Sequence, residues 1–91
     1  MNAPTVRAQR TPNPNAMKFI LDRRVVAGSQ SRTINSPAAA QGDALAESLF
    51  AIAGVTGLFM VDDFVTVLKT DAASWDLLTP EVTAALARGF N

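Results

Sequence analysis

Asp62-Asp63 is the adjacent carboxylate pair of this sequence, and Lys69 follows six residues later. Two carboxylates and an ammonium are what a small acid–base site, or a metal site built from oxygen ligands, would draw on. Consecutive residues of an extended chain point to opposite faces, so the pair would not converge unaided. The same dipeptide also separates two apolar runs, where it reads as the turn of a hairpin. Arg23-Arg24 offers either an anion contact or a solvated turn. Gly54-Val55-Thr56-Gly57 lacks the GxxxxGK[ST] pattern of a phosphate loop. Trp75 reads as an interface anchor or as core.

The missing residue types restrict the chemistry further. The sequence has no Cys, no His and no Tyr. Without Cys there is no disulfide, no thiolate nucleophile and no sulfur ligand for zinc or an iron–sulfur cluster. Without His there is no imidazole base and no imidazole ligand. Catalysis would fall to carboxylates, Lys, Ser or Thr. A non-catalytic protein without a bound cofactor or metal is expected, with Asp62, Asp63 and Lys69 as the alternative oxygen-ligand site.

A different kind of signal stands at Thr11-Pro12-Asn13-Pro14-Asn15, directly before Met17-Lys18-Phe19-Ile20-Leu21. Each proline holds its own φ and drives the preceding residue toward extended geometry. The asparagines bring amide donors and acceptors to that stiff backbone. A rigid segment lowers the ordering cost of binding a partner. The same residues could instead shield a strand edge, with each Asn bonding to its own backbone. Both readings stay open on the residues alone.

The elements that must position these groups follow from pattern. Residues 1–10 read as a flexible arm or a lead into a strand. Residues 17–21 alternate as a strand, and 31–35 read as a polar edge strand after a break at Gly28-Ser29-Gln30. Ser36 and Pro37 mark a helix start that Gly42 interrupts. Asp43 caps a main helix running to about residue 53, with Leu45, Leu49, Phe50 and Ile52 as its apolar positions. Gly54 suits the left-handed residue after it. Residues 55–61 and 64–69 form the hairpin. Residues 75–78 read as a short turn, after which Thr79 caps and Pro80 opens a final helix with Val82, Leu86 and Phe90 on one stripe and Arg88 in its last turn. The order predicts an α+β fold: two layers, β-β-α-β-β-α, with a four-stranded, largely antiparallel sheet and both helices on one face. Residues 11–91 are expected to form one domain.

Composition agrees with a folded chain, since 48% of the residues are hydrophobic. No apolar run approaches the ~18 residues of a membrane span. A cytoplasmic protein, monomeric or weakly dimeric, is expected. The zero net charge conceals an uneven layout: residues 1–42 carry six basic side chains and one acid, and residues 43–91 carry two basic side chains and seven acids. No basic stripe of a nucleic-acid binder is present.

The 11–15 segment with Lys18-Phe19 resembles the opening signature of the Nfu/NifU-like N-terminal domain. The resemblance continues through Ser36-Pro37-Ala38-Ala39-Ala40, Leu45, the stretch 49–55, Asp63-Phe64-Val65-Thr66-Val67, Trp75 and Leu78. It implies a role in iron–sulfur cluster maturation. In that family the domain usually precedes a second one, whose CxxC pairs hold a cluster between two chains. This sequence has no cysteine, so no cluster ligand carries over. The implied role is that of a stand-alone accessory module that binds a CxxC-type cluster carrier or a recipient apoprotein. Its expected contact residues are Thr11, Pro12, Asn13, Pro14, Asn15, Lys18 and Phe19.

Overall fold

A computed structural model describes residues 4–26 and 31–89 of the chain. The alternation in residues 17–21 produces a strand, β2 (Ala16–Leu21), with Met17, Phe19 and Leu21 buried and Lys18 and Ile20 half-buried on the other face. Of the hairpin strands, β5 (Phe64–Lys69) alternates from Phe64 to Leu68, and β4 (Val55–Val61) alternates from Leu58 onward, after a register shift between Val55 and Gly57 that leaves Gly57 and Leu58 both buried. Asp62 and Asp63 close that hairpin between the paired residues Val61 and Phe64. With no glycine in the turn, Asp62 itself takes the left-handed backbone, at φ 53°; Asp is one of the few residues that visit this region readily.

Among the described residues the sheet has five strands, not four. Their order is β1-β2-β5-β4-β3, with every neighbouring pair antiparallel. The additional strand is β1 (Val6–Arg10), which lies within the stretch read as an arm or lead-in. Four of its five residues are exposed, so it shows no apolar alternation. It is a strand because it pairs with β2, from Val6 opposite Leu21 to Arg10 opposite Met17. The polar strand β3 (Ser31–Ile34) forms the opposite edge, as expected, and buries Ile34.

The first helix, α1 (Ala44–Phe50), is shorter than expected, and the Ser36-Pro37 start yields a single 3-10 turn at Ala38–Ala40. Gly54 adopts φ 100°, and an added Cβ would stand 2.8 Å from Ala73 Cβ, so only glycine fits there. The second helix, α2 (Trp75–Gly89), begins five residues before Pro80. Ser74, not Thr79, caps it: its Oγ accepts from the Asp76 N–H at 3.2 Å and its carbonyl from the Leu78 N–H at 2.9 Å. Pro80 stands in the second turn, where it has no N–H to give to the Asp76 carbonyl, and burial of Trp75 and Leu78 offsets that loss and holds the added first turn. Thr79 is turned inward instead, its Oγ 3.9 Å from Met17 Sδ. Val82 and Leu86 are fully buried, as their stripe predicts. The 28–30 break and Phe90 lie outside the described residues.

Both helices feed one core with the inner face of the sheet. Phe19, Leu49, Leu58, Met60, Val65, Val67, Val82 and Leu86 are its largest fully buried side chains. Each contributes roughly 1.5–3 kcal/mol relative to exposure.

Asp43 ties this core to the sheet edge. Its carboxylate accepts from the Ala46 N–H at 3.1 Å as the cap of α1, and lies 2.6 Å from the guanidinium of Arg32 on β3. Partial burial pushes the Asp43 carboxyl up, but the Ala46 N–H, the Arg32 guanidinium and the Leu45 N–H together hold it below the usual range. A depressed folded-state value stabilises above the unfolded value of about 3.9 and is lost as pH falls through the folded one. Asp43→Ala is expected to cost about 1 kcal/mol at pH 7 in urea unfolding. Asp43→Asn keeps the cap. Its expected effect is a smaller loss and a flatter fall in stability below about pH 4, with the slope due to Asp22 retained.

Candidate functional site

Residues 11–15 are the connection between β1 and β2, and their polar groups are turned first on one another. Thr11 Oγ accepts from the Asn13 N–H at 3.1 Å and shares its own proton between the carbonyls of Asn13, at 2.9 Å, and Ala16, at 3.0 Å. Asn13 Oδ1 accepts from the Asn15 N–H at 2.9 Å, and Asn13 O accepts from the Ala16 N–H at 3.0 Å. This is the local side-chain capping that Asn brings to turns. With two fixed proline φ angles, it leaves the loop few alternatives.

A second set of bonds fastens the loop to the far end of β5 and the start of α2. The Asn15 carboxamide donates to Asp71 Oδ1 and accepts from Lys69 Nζ at 3.0 Å. Asn15 O accepts from the Lys69 N–H at 2.9 Å, which extends the β2–β5 ladder by one residue. Trp75 Nε1–H donates to Pro14 O at 2.9 Å. The Trp75 ring packs at 6.3 Å from Phe19, and Lys69 Nζ stands 5.9 Å from that ring. Trp75 is therefore core, only 8% exposed, and the clamp on the loop at once.

The expected contact residues divide by position. Pro12, Asn13 and Pro14 form an exposed tip. Thr11 and Asn15 are half-buried and spend their polar atoms holding it. Phe19 has no exposure and supports the loop from beneath, through Trp75. Lys18 points to the opposite face of the sheet, with its Nζ 4.1 Å from the centre of the Phe64 ring. Asp71 and Trp75 complete the clamp, and sequence reasoning did not assign them to it. Their only signal is proximity in the fold.

The residues of the alternative site are not brought together. Asp62 and Asp63 occupy the turn at one end of β5, and Lys69 is at the other end, bonded to Asn15. Asp62 lies 3.9 Å from Arg24, and its carbonyl accepts from the Val25 N–H. Among the described residues no group of three or more acidic side chains is placed to hold a metal ion. Nearby, the Asp22 carboxyl is lowered first by its hydrogen bond from Arg23 and then by the Thr5 backbone.

Residues 6–91 match the family described as scaffold protein Nfu/NifU N terminal. The chain is 40% identical over 88 residues to the Homo sapiens protein named NFU1 iron-sulfur cluster scaffold homolog, mitochondrial. That match covers 93% of this chain and 34% of the human protein. It is 40% identical over 81 residues to NifU-like protein 4, mitochondrial, of Arabidopsis thaliana, covering 89% of this chain and 28% of that protein. The chain thus spans about a third or less of the curated relatives it matches, and their names place those proteins in mitochondria rather than in the cytoplasm expected for this chain. The solution structure of a NifU-like protein from Saccharomyces cerevisiae superposes with a TM-score of 0.84 at 28% identity, covering 94% of this chain and 77% of that one. A crystal structure of a Staphylococcus aureus protein gives 0.77 at 30% identity, with 89% and 96% covered. Among the described residues no helix is long and apolar enough to cross a membrane.

Trp75→Phe keeps an aromatic ring but removes the pyrrole part of the indole with the N–H that reaches Pro14. The lost bond and the space left in the core together are expected to cost about 1–3 kcal/mol in urea unfolding, with the fastest gain in amide exchange at residues 11–16. Unchanged exchange there would show that the bond does not hold the loop.

Proposed function

We propose that this chain, which belongs to the family of Nfu/NifU scaffold N-terminal domains, serves iron–sulfur cluster assembly as a binding module with no catalytic chemistry of its own. It docks on a CxxC-type cluster carrier or a recipient apoprotein and positions it. The thiolate chemistry belongs to the partner, because this chain has no cysteine to contribute. The observation that carries the reading is the exposed tip at residues 12–14, pre-ordered by the Asn15 and Trp75 clamps. A surface held in one conformation before contact loses little entropy on binding. The half-buried Thr11 and Asn15 act by shaping that surface, and Phe19 by supporting it. Nucleic-acid and membrane partners have no counterpart at this loop, which carries no basic side chain.

The test is an NMR titration of the labelled domain with a separate CxxC-type cluster carrier, with and without its cluster. Shifts are expected at the amides of Thr11, Asn13 and Asn15. Asn13→Asp keeps the Oδ1 acceptor for Asn15 but alters the outward amide. It is expected to weaken binding while the melting temperature stays within about 2 °C, as for a surface change. Absence of shifts with carrier in excess would detach the loop from this role.

A further inference from the structure

The helices cover one face of the sheet, and the other face carries a patch that the loop reading does not use. Ile20 on β2, Phe64 on β5 and Val61 and Phe59 on β4 all point to it, as the registers Ile20 opposite Phe64 and Phe64 opposite Val61 require. Phe59 is 37% exposed, and its ring lies 6.4 Å from that of Phe64. The solvated face of an antiparallel sheet ordinarily carries polar residues. Contiguous apolar side chains with a polar rim mark contact surfaces.

Charge indicates what fits there. Lys18 and Arg7 stand on the same face, Lys18 over the Phe64 ring and Arg7 opposite Ile20. No acidic residue lies within the five strands. Of the acids in the turns at one end of the sheet, Asp22 lies 3.0 Å from Arg23 and Asp62 lies 3.9 Å from Arg24, while Asp63 precedes Phe64 in the chain. The five other acids, Asp43, Glu47, Asp71, Asp76 and Glu81, lie in the helices and the loops leading into them. Two copies joined through this face would bring like charges together. A partner bearing carboxylates around apolar side chains would complement it. Five strands at ~4.8 Å spacing make a face about 19 Å wide, the length of a helix of about 13 residues.

We propose that the open face of the sheet docks an amphipathic acidic helix of another protein. The apolar stripe of that helix lies on Phe59, Phe64 and Ile20, and its carboxylates flank Lys18 and Arg7. This surface is separate from the 11–15 loop.

The test is selection of a displayed library of 14-residue helical peptides, randomised at outward positions, on the intact chain. Enrichment of peptides with an apolar stripe flanked by Glu or Asp is expected. Their amide shifts should map to Ile20, Phe59 and Phe64. Phe59→Ser should weaken binding about tenfold with the fold retained by melting temperature. Arg7→Glu with Lys18→Glu should reverse the preference toward basic peptides. Asn13→Asp should leave this binding unchanged, which separates failure here from failure of the loop role. No enrichment, enrichment without acid bias, or indifference to Phe59→Ser would overturn the proposal. So would self-association of the chain abolished by Phe59→Ser, which would make a second copy the occupant. Binding to phosphatidylserine vesicles without peptide selection would assign the face to a membrane instead.

Discussion

Two helices and a five-stranded sheet can enclose one face of that sheet, and the rest of the molecule is arranged around this limit. The inner face takes Phe19, Val65, Val67, Leu58 and Met60, all with 1% exposure or less, and sets them against Leu49, Val82 and Leu86. The strict two-residue period of a strand then commits every second residue to the outside. A slip of one residue in β2 would exchange Phe19 for Lys18 and place an ammonium in the core. That cost keeps the register of β2, and through it the placement of the β1–β2 loop.

The loop depends on the core through Trp75. Its ring belongs to the apolar layer beside Phe19, and its N–H reaches outward to Pro14. A buried indole needs a partner for that N–H, so packing and loop geometry are satisfied by the same side chain. Asn15 acts in parallel by spending both ends of its carboxamide on Asp71 and Lys69. The exposed tip is thus held by residues that are themselves largely hidden. Truncating a clamp residue would confuse loss of shape with loss of contact, whereas a change at the tip separates them.

The uneven charge layout also has a place in the fold. The strands carry basic side chains and no acid; five acids lie in the helices and the loops that lead into them, and Asp22, Asp62 and Asp63 lie in the turns at one end of the sheet. The two layers attract across the molecule, and Arg32 with Asp43 makes one such link directly. Surface ion pairs of this kind contribute little each. Their placement bears on the choice of partners more than on stability.

Much of this was legible in the residue order. Alternation placed β2, two apolar runs placed β4, β5 and the Asp62-Asp63 turn, and helix-end signals placed the Asp43 cap and the left-handed Gly54, because each of these is a contest decided within a few residues. The missing cysteine excluded thiolate chemistry outright. What only the tertiary structure decided has no such local signature. Val6–Arg10 is a strand because β2 offers it an unmatched row of backbone donors and acceptors, not because of its own pattern. The early start of α2 rests on burying Trp75 and Leu78, which outweighed the local start signal at Thr79-Pro80. The partners of Asn15 and of Pro14 lie 54, 56 and 61 residues away along the chain. Contacts at that separation form only when the sheet register and the docking of α2 bring them together, so no periodicity or spacing in the sequence can announce them.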